Sequence, residues 1–310
     1  MAPSDGQVIM QRAICTTALA LVGCAQLGPS PVALRASVAE TAPVVQIVPL
    51  ATQIGFADSL GHLPLIRTTI AGKSHWFLID SGASTHILAG WFARDLGLVS
   101  LDTGKRSGVD HTGKPIALRY TGGVAASVGG LGDVVPESWP VVDLPDTFEQ
   151  IGIAGFISPQ RLASERSDIV FDFPKREMRV EPHVAQATSV RTAACEGSVV
   201  LHANINGHAT RLLVDTGASR TDLLTSSPVA AILPSRGRAQ AFITATGPLS
   251  VLGTQSAQLT FGRFSTTADV ATVVGRDDAS CPRDGALAMD VLRNCRVTFS
   301  SRDVHLACAR

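Results

Sequence analysis

The sequence predicts a mostly β protein built as two similar lobes, and two observations carry that expectation. The first is composition: 28 Gly and 17 Pro are spread among short Val/Ile/Thr-rich runs, which suits many short strands joined by turns better than a helical bundle. The second is an internal repeat: Leu-Ile-Asp-Ser-Gly-Ala-Ser at 78–84 returns as Leu-Val-Asp-Thr-Gly-Ala-Ser at 213–219, 135 positions later. A chain of 310 residues can bury two cores of ordinary size. With 26 basic and 26 acidic residues and no long run of one sign, it lacks the electrostatic footprint of a nucleic-acid binder. Its single tyrosine, Tyr120, argues equally against a base-stacking surface.

In chain order, the first element is an export signal. From Met10 the sequence reads MQRAICTTALALVGCAQ, an Arg followed by an apolar run too short to span a bilayer. Leu-Val-Gly-Cys ending at Cys24 resembles the lipobox of bacterial lipoproteins, which implies lipidation of Cys24 and a membrane anchor. A plain cleaved signal or an apolar N-terminal helix is the alternative. The acid in MAPSDGQVI makes Met10 a candidate start. Ala25 after the Cys favours the periplasmic face of an outer membrane over an inner one, because lipoproteins kept at the inner membrane commonly carry Asp there. The expected organisation is 1–24 signal, 25–50 tether, 51–185 first lobe and 186–310 second lobe.

Export places Cys195, Cys281, Cys295 and Cys308 in an oxidising compartment. Four cysteines allow three pairings. Closure of the second lobe at its ends favours Cys195–Cys308 with Cys281–Cys295. No Cys or His spacing suits a metal, so neither metal nor cofactor is expected.

The repeat extends well beyond seven residues. Residues 66–88 align with 201–223, each a strand, a Gly-containing turn and a second strand that ends in the Asp tripeptide. Gly113, 33 residues after Asp80, and Gly247, 32 after Asp215, mark two hairpin tips. Gly155 follows Asp80 by 75 positions and Ala288 follows Asp215 by 73, each in an apolar segment. Each half then closes on a strand pair, at 169–180 and 296–307. A third Asp-Thr-Gly, at Asp102, follows an expected helix (AGWFARDLGL) and lacks the paired strands, so it is read as a turn.

An apolar strand delivering Asp-Ser/Thr-Gly-Ala-Ser resembles the active-site loop of aspartic proteases, and over residues 60–308 the chain is similar to a retropepsin-like or pepsin-like protease with both lobes fused. The resemblance implies an all-β, bilobal fold: two similar β-barrel lobes with short helices and an active-site cleft between them. It implies Asp80 and Asp215 as a catalytic dyad that hydrolyses peptide bonds in peptide or protein substrates. It also implies Ser81 and Thr216 as ties to the opposite loop, and Gly82 and Gly217 as room beneath the carboxylates. Ser84 and Ser219, with the flap tips Gly113 and Gly247, are the implied substrate contacts. The segments Ile153-Ala154-Gly155 and Ala286-Leu287-Ala288 are expected behind the loops, with Ala288 a departure from the family's Gly. Pairing of the two lobes within one chain, as a monomer, is favoured by the short connector at 181–197 and the unequal cysteine content.

Two carboxylates in contact cannot both ionise cheaply, so such a pair shares one proton. The ionised member can activate water while the protonated one donates to the carbonyl. Ala83 and Ala218 offer no hydroxyl to the carboxylates. Pepsin-like enzymes commonly have Ser or Thr there, so a weakly acidic or near-neutral optimum is expected. A binding or sensor module without turnover is the alternative function. The phosphate-loop-like stretch at 108–114 is interrupted by Pro115, and GGLGDVVP at 129–136 lacks a third glycine, so neither marks a nucleotide site. Tyr120 is read as a strand residue with a flap role as the alternative; His75 and His86 are read as strand and turn residues.

Overall fold

The computed structural model describes residues 44–49, 62–99, 107–131, 133–134, 138–183, 192–195, 197–233, 240–276, 281–301 and 303–309. Cys24, the first part of the tether and Asp102 lie outside the described residues. Each lobe starts from a hairpin. Strand Pro64–Ile70 turns into Lys73–Ile79, and Ser198–Ile205 turns into His208–Val214. Ala71 and Gly72 have φ of 47° and 78°, Asn206 and Gly207 of 49° and 84°. Two positive-φ residues in succession match the right-handed twist of the flanking strands.

The second strand of each hairpin is then clasped from the far side. Ile153–Ile157 runs parallel to Lys73–Ile79 and antiparallel to Ile87–Ala89. In the other lobe Gly285–Leu287 runs parallel to His208–Val214 and antiparallel to Asp222–Leu224. The sheets therefore share one internal order, within nine strands in the first lobe and eight in the second among the described residues. The short helix Gly90–Asp95 forms where AGWFARDLGL was expected to be helical, burying Gly90, Phe92 and Ala93. The fold is all-β with short helices, as expected.

The register corrects one expectation. Gly155 pairs with Leu88 and Gly285 pairs with Leu223, the residue aligned with Leu88 in the repeat. Gly285, not Ala288, is thus the partner of Gly155. A Cβ at Gly155 would stand 2.1 Å from the Ile87 carbonyl oxygen, and one at Gly285 1.9 Å from that of Asp222. Ala288 instead precedes the helix Met289–Leu292 in extended conformation. Gly285 follows Asp215 by 70 residues where Gly155 follows Asp80 by 75, so the second lobe is shorter between these landmarks and a spacing of 73 pointed three residues too far.

A third sheet joins the lobes. Its order is Val44–Gln46, Glu177–Pro182, Ser167–Asp172, Cys295–Phe299 and Val304–Cys308. Phe171 and Phe299 meet edge to face beneath it, with centroids 5.6 Å apart. Val44–Gln46 and Val48–Pro49, assigned from sequence to the tether, are strands: Val45 is buried while its neighbours Val44 and Gln46 are exposed, an alternation too short to read without its partner strand.

The disulfides also differ from expectation: Cys195 bonds Cys281 and Cys295 bonds Cys308. Cys195 ends an edge strand of the second lobe's own sheet. Cys308 ends a strand of the joining sheet, directly opposite Cys295. The ends of the second lobe lie in different sheets, so a bridge between them is not available. No helix among the described residues is long and apolar enough to cross a membrane.

Candidate active site

The two aspartates leave their strands under the same constraint. The Asp80 amide donates to the Ile157 carbonyl and the Asp215 amide to the Leu287 carbonyl, both at 2.9 Å. Beyond them the loops interlock across the lobes. The Ser81 hydroxyl donates to the Val214 carbonyl at 2.7 Å and accepts from the Thr216 amide at 3.0 Å. The Thr216 hydroxyl donates to the Ile79 carbonyl at 2.8 Å and accepts from the Ser81 amide at 3.0 Å. All four bonds are buried, where each is worth more and would cost more to break.

These ties bring the carboxylates together. A Cβ on Gly82 would lie 2.7 Å from the Asp215 carboxyl carbon, and one on Gly217 2.5 Å from that of Asp80. Each loop's glycine therefore sits against the opposite lobe's acid. Local amides hold the carboxylates from below: Ala83 donates to Asp80 at 3.0 Å, and Gly217 and Ala218 donate to Asp215 at 2.8 and 3.1 Å. Burial, then the Asp215 charge, hold the Asp80 carboxyl well above the usual carboxylate range. Burial also raises Asp215, but the His111 imidazolium and the Gly217 amide oppose that rise. The surroundings of the two carboxyls are therefore unequal, with the His111 cation facing Asp215 and the Asp215 charge facing Asp80.

The pair opens into a cleft of about 530 Å³. On the first-lobe side its wall is apolar: Leu78, Ile87, Phe148, Ile151, Ile153 and Phe156. On the second-lobe side Asp222 stands where the repeat has Ile87, and Arg283 stands where the register has Ile153. Ser84 and Ser219 both line the cleft. Gly113 and Gly247 do not; Gly113 lies in the turn of its hairpin and Gly247 opens the strand just after the other turn, with φ of 80° and 106°. Tyr120 pairs with Pro140 in a strand and does not line the cleft. Among the described residues no three His, Cys, Asp or Glu side chains gather as metal ligands would.

The first-lobe hairpin, Ser107–Val109 with Pro115–Ala117, crosses to the second lobe. Asp110 shapes its tip by accepting from the amides of Thr112 and Lys114. The tip then docks: His111 Nε2 lies 3.1 Å from Asp222 Oδ2, and Thr246 Oγ1 donates to Asp110. Lys114 Nζ donates to the Thr246 carbonyl at 2.7 Å, and Arg283 to the His111 carbonyl at 3.0 Å. Sequence reasoning passed over His111, Asp222 and Arg283. The available signal was the alignment itself, which sets a carboxylate at Asp222 against Ile87 inside an otherwise apolar strand.

Residues 201–291 match the family described as Aspartyl protease. That span runs from the first hairpin of the second lobe through Asp215 and Gly285 to the helix Met289–Leu292. It supports an aspartyl-protease-like family for the chain. No curated protein matches the sequence. The first lobe lies outside the matched span, yet repeats its strand order and loop geometry.

Proposed function

We propose that the chain is an aspartic endopeptidase in which Asp80 and Asp215 hydrolyse peptide bonds as one dyad. The observation that carries this is the four-bond tie between Ser81 and Thr216, which holds two buried carboxyls against each other at the floor of an open cleft. Packing alone has no use for two such groups at one junction, because desolvation and mutual repulsion both destabilise it. The charged Asp215 takes a proton from water in the cleft, and that water attacks the scissile carbonyl carbon. Protonated Asp80 donates to the carbonyl oxygen as it gains charge. As the tetrahedral species collapses and the C–N bond breaks, Asp215 gives the proton it took from water to the departing amine and Asp80 takes back the proton of the diol hydroxyl, which restores one proton to the pair. The docked hairpin excludes bulk water from this exchange and has to lift for substrate to enter.

A peptide-binding module without turnover would keep the same cleft. The feature that favoured it, Ala288 in place of Gly, loses its weight because Gly285 fills that position. Incubation with a peptide library across pH 3–8 decides between them. Cleavage by the wild type, absent in Asp80→Asn and Asp215→Asn, is expected; a wild type that cleaves nothing, or a variant with full activity, would contradict the assignment. The lipid anchor on Cys24 belongs to the same proposal. Cys24→Ala releases the protein from the membrane fraction, and equal partitioning of the two forms would count against it.

A further inference from the structure

The groups around the dyad are unequal, and the inequality enters from the hairpin of the opposite lobe. His111 is carried at the tip of the first-lobe hairpin but lies against Asp222 of the second lobe, with side chains 15 % and 7 % exposed. Asp222 Oδ1 has no hydrogen-bond partner, so the imidazole ring is the group that answers this buried carboxylate. Both side chains line the same cleft as Asp80 and Asp215. Nothing equivalent stands on the other side, where the repeat gives Ile87 for Asp222 and Ala245 for His111.

We propose that His111 is a positioning residue of the dyad: anchored on Asp222 and held in the cleft by the crossed hairpin, its imidazolium keeps the negative charge of the pair on Asp215, making Asp215 the base and Asp80 the acid. The inference rests on the two aspartates acting as the dyad. The charged groups that face His111 are Asp222 and Asp215 from the second lobe, Asp110 beside it on its own hairpin, and Arg283, which donates to the His111 carbonyl. Three carboxylates against one guanidinium favour a charged ring, and the ring's pKa is accordingly raised to about 9 despite burial. The hairpin's docking therefore does two things together: it closes the cleft and fixes which carboxyl is ionised. A lifted hairpin leaves the pair more nearly symmetric, so the assignment of acid and base is completed only on closure.

The test reads the carboxyls directly. In full-length protein labelled with 13C at Asp side-chain carboxyls, the dyad signals are assigned with Asp80→Asn and Asp215→Asn and titrated in the wild type. The lower step of the pair is expected at Asp215. In His111→Gln, which keeps an amide donor for Asp222 but loses the charge, that step moves up by about 1 pH unit. His111→Lys, which keeps the charge, restores it. The acid limb of the peptide-cleavage profile follows the same order. A lower step at Asp80, or one that His111→Gln leaves in place, would overturn the proposal. The titration needs no turnover, so a wild type that cleaves nothing would remove the endopeptidase assignment and leave this test standing.

Discussion

The two lobes solve the same structural problem with different side chains. Behind the first loop, the Ser158 amide donates to His86 Nδ1 at 3.1 Å, and Gln160 donates to the Ser81 carbonyl at 2.9 Å. Behind the second, the Ala288 amide donates to Thr221 Oγ1 at 3.2 Å, and Asp290 accepts from both the amide and the hydroxyl of Thr221. His86 does as a neutral acceptor what Thr221 does as a hydroxyl; burial lowers its pKa to about 4, which keeps it uncharged in ordinary buffers. What is held constant is the backbone: the hairpin turn, the glycine crossing and the aspartate loop. What diverges is the wall beside the loops, where Ile87 and Ile153 of the first lobe give way to Asp222 and Arg283 in the second. The repeat therefore preserves the frame that positions two carboxylates, while the walls are free to make those carboxylates unequal.

The largest expected effect tests the frame. Gly155→Ala and Gly285→Ala each push a methyl group into a backbone carbonyl that cannot yield, costing about 3 kcal/mol or more in chemical denaturation. Ala288→Gly, at an extended position before a helix, costs no more than about 1 kcal/mol. A larger loss at Ala288 than at Gly285 would return that position to the role the spacing first suggested.

A smaller effect tests the difference between the walls. The His111 ring titrates at about 9 in the folded protein against an ordinary 6.5. Its charged form therefore stabilises the fold in full below pH 6.5, and that contribution fades as pH rises through 9. Asp222→Asn is expected to lower stability by about 2 kcal/mol at pH 6, with the deficit gone by pH 10. A deficit unchanged between those two pH values would mean that the pair carries no such charge.

Much of this was legible because it is local. A strand, a Gly turn, a strand and Asp-Ser/Thr-Gly-Ala-Ser within some 20 residues show in sequence, so Asp80 and Asp215, with Ser81 and Thr216 after them, were identifiable from the repeat. The disulfides were not, since Cys308 faces Cys295 only because the last hairpin joins a sheet apart from the lobe that precedes it. Gly285 was hidden because the second lobe is five residues shorter between its aspartate and this glycine, 70 against 75. His111 was hidden because its partner, Asp222, lies 111 positions away on the other lobe, and nothing in the hairpin's own sequence specifies where its tip will dock.

The central claim is that one site is built from both lobes, and the rates of Asp80→Asn, Asp215→Asn and the double variant on one cleaved peptide test it most directly. Groups that act as a unit lose their effect together. Each single variant is expected to fall by at least about 1,000-fold, within the range for general acid–base catalysis, and the double variant no further. Losses that multiply in the double variant, or one single variant that keeps its rate, would show that the two aspartates do not act as a pair.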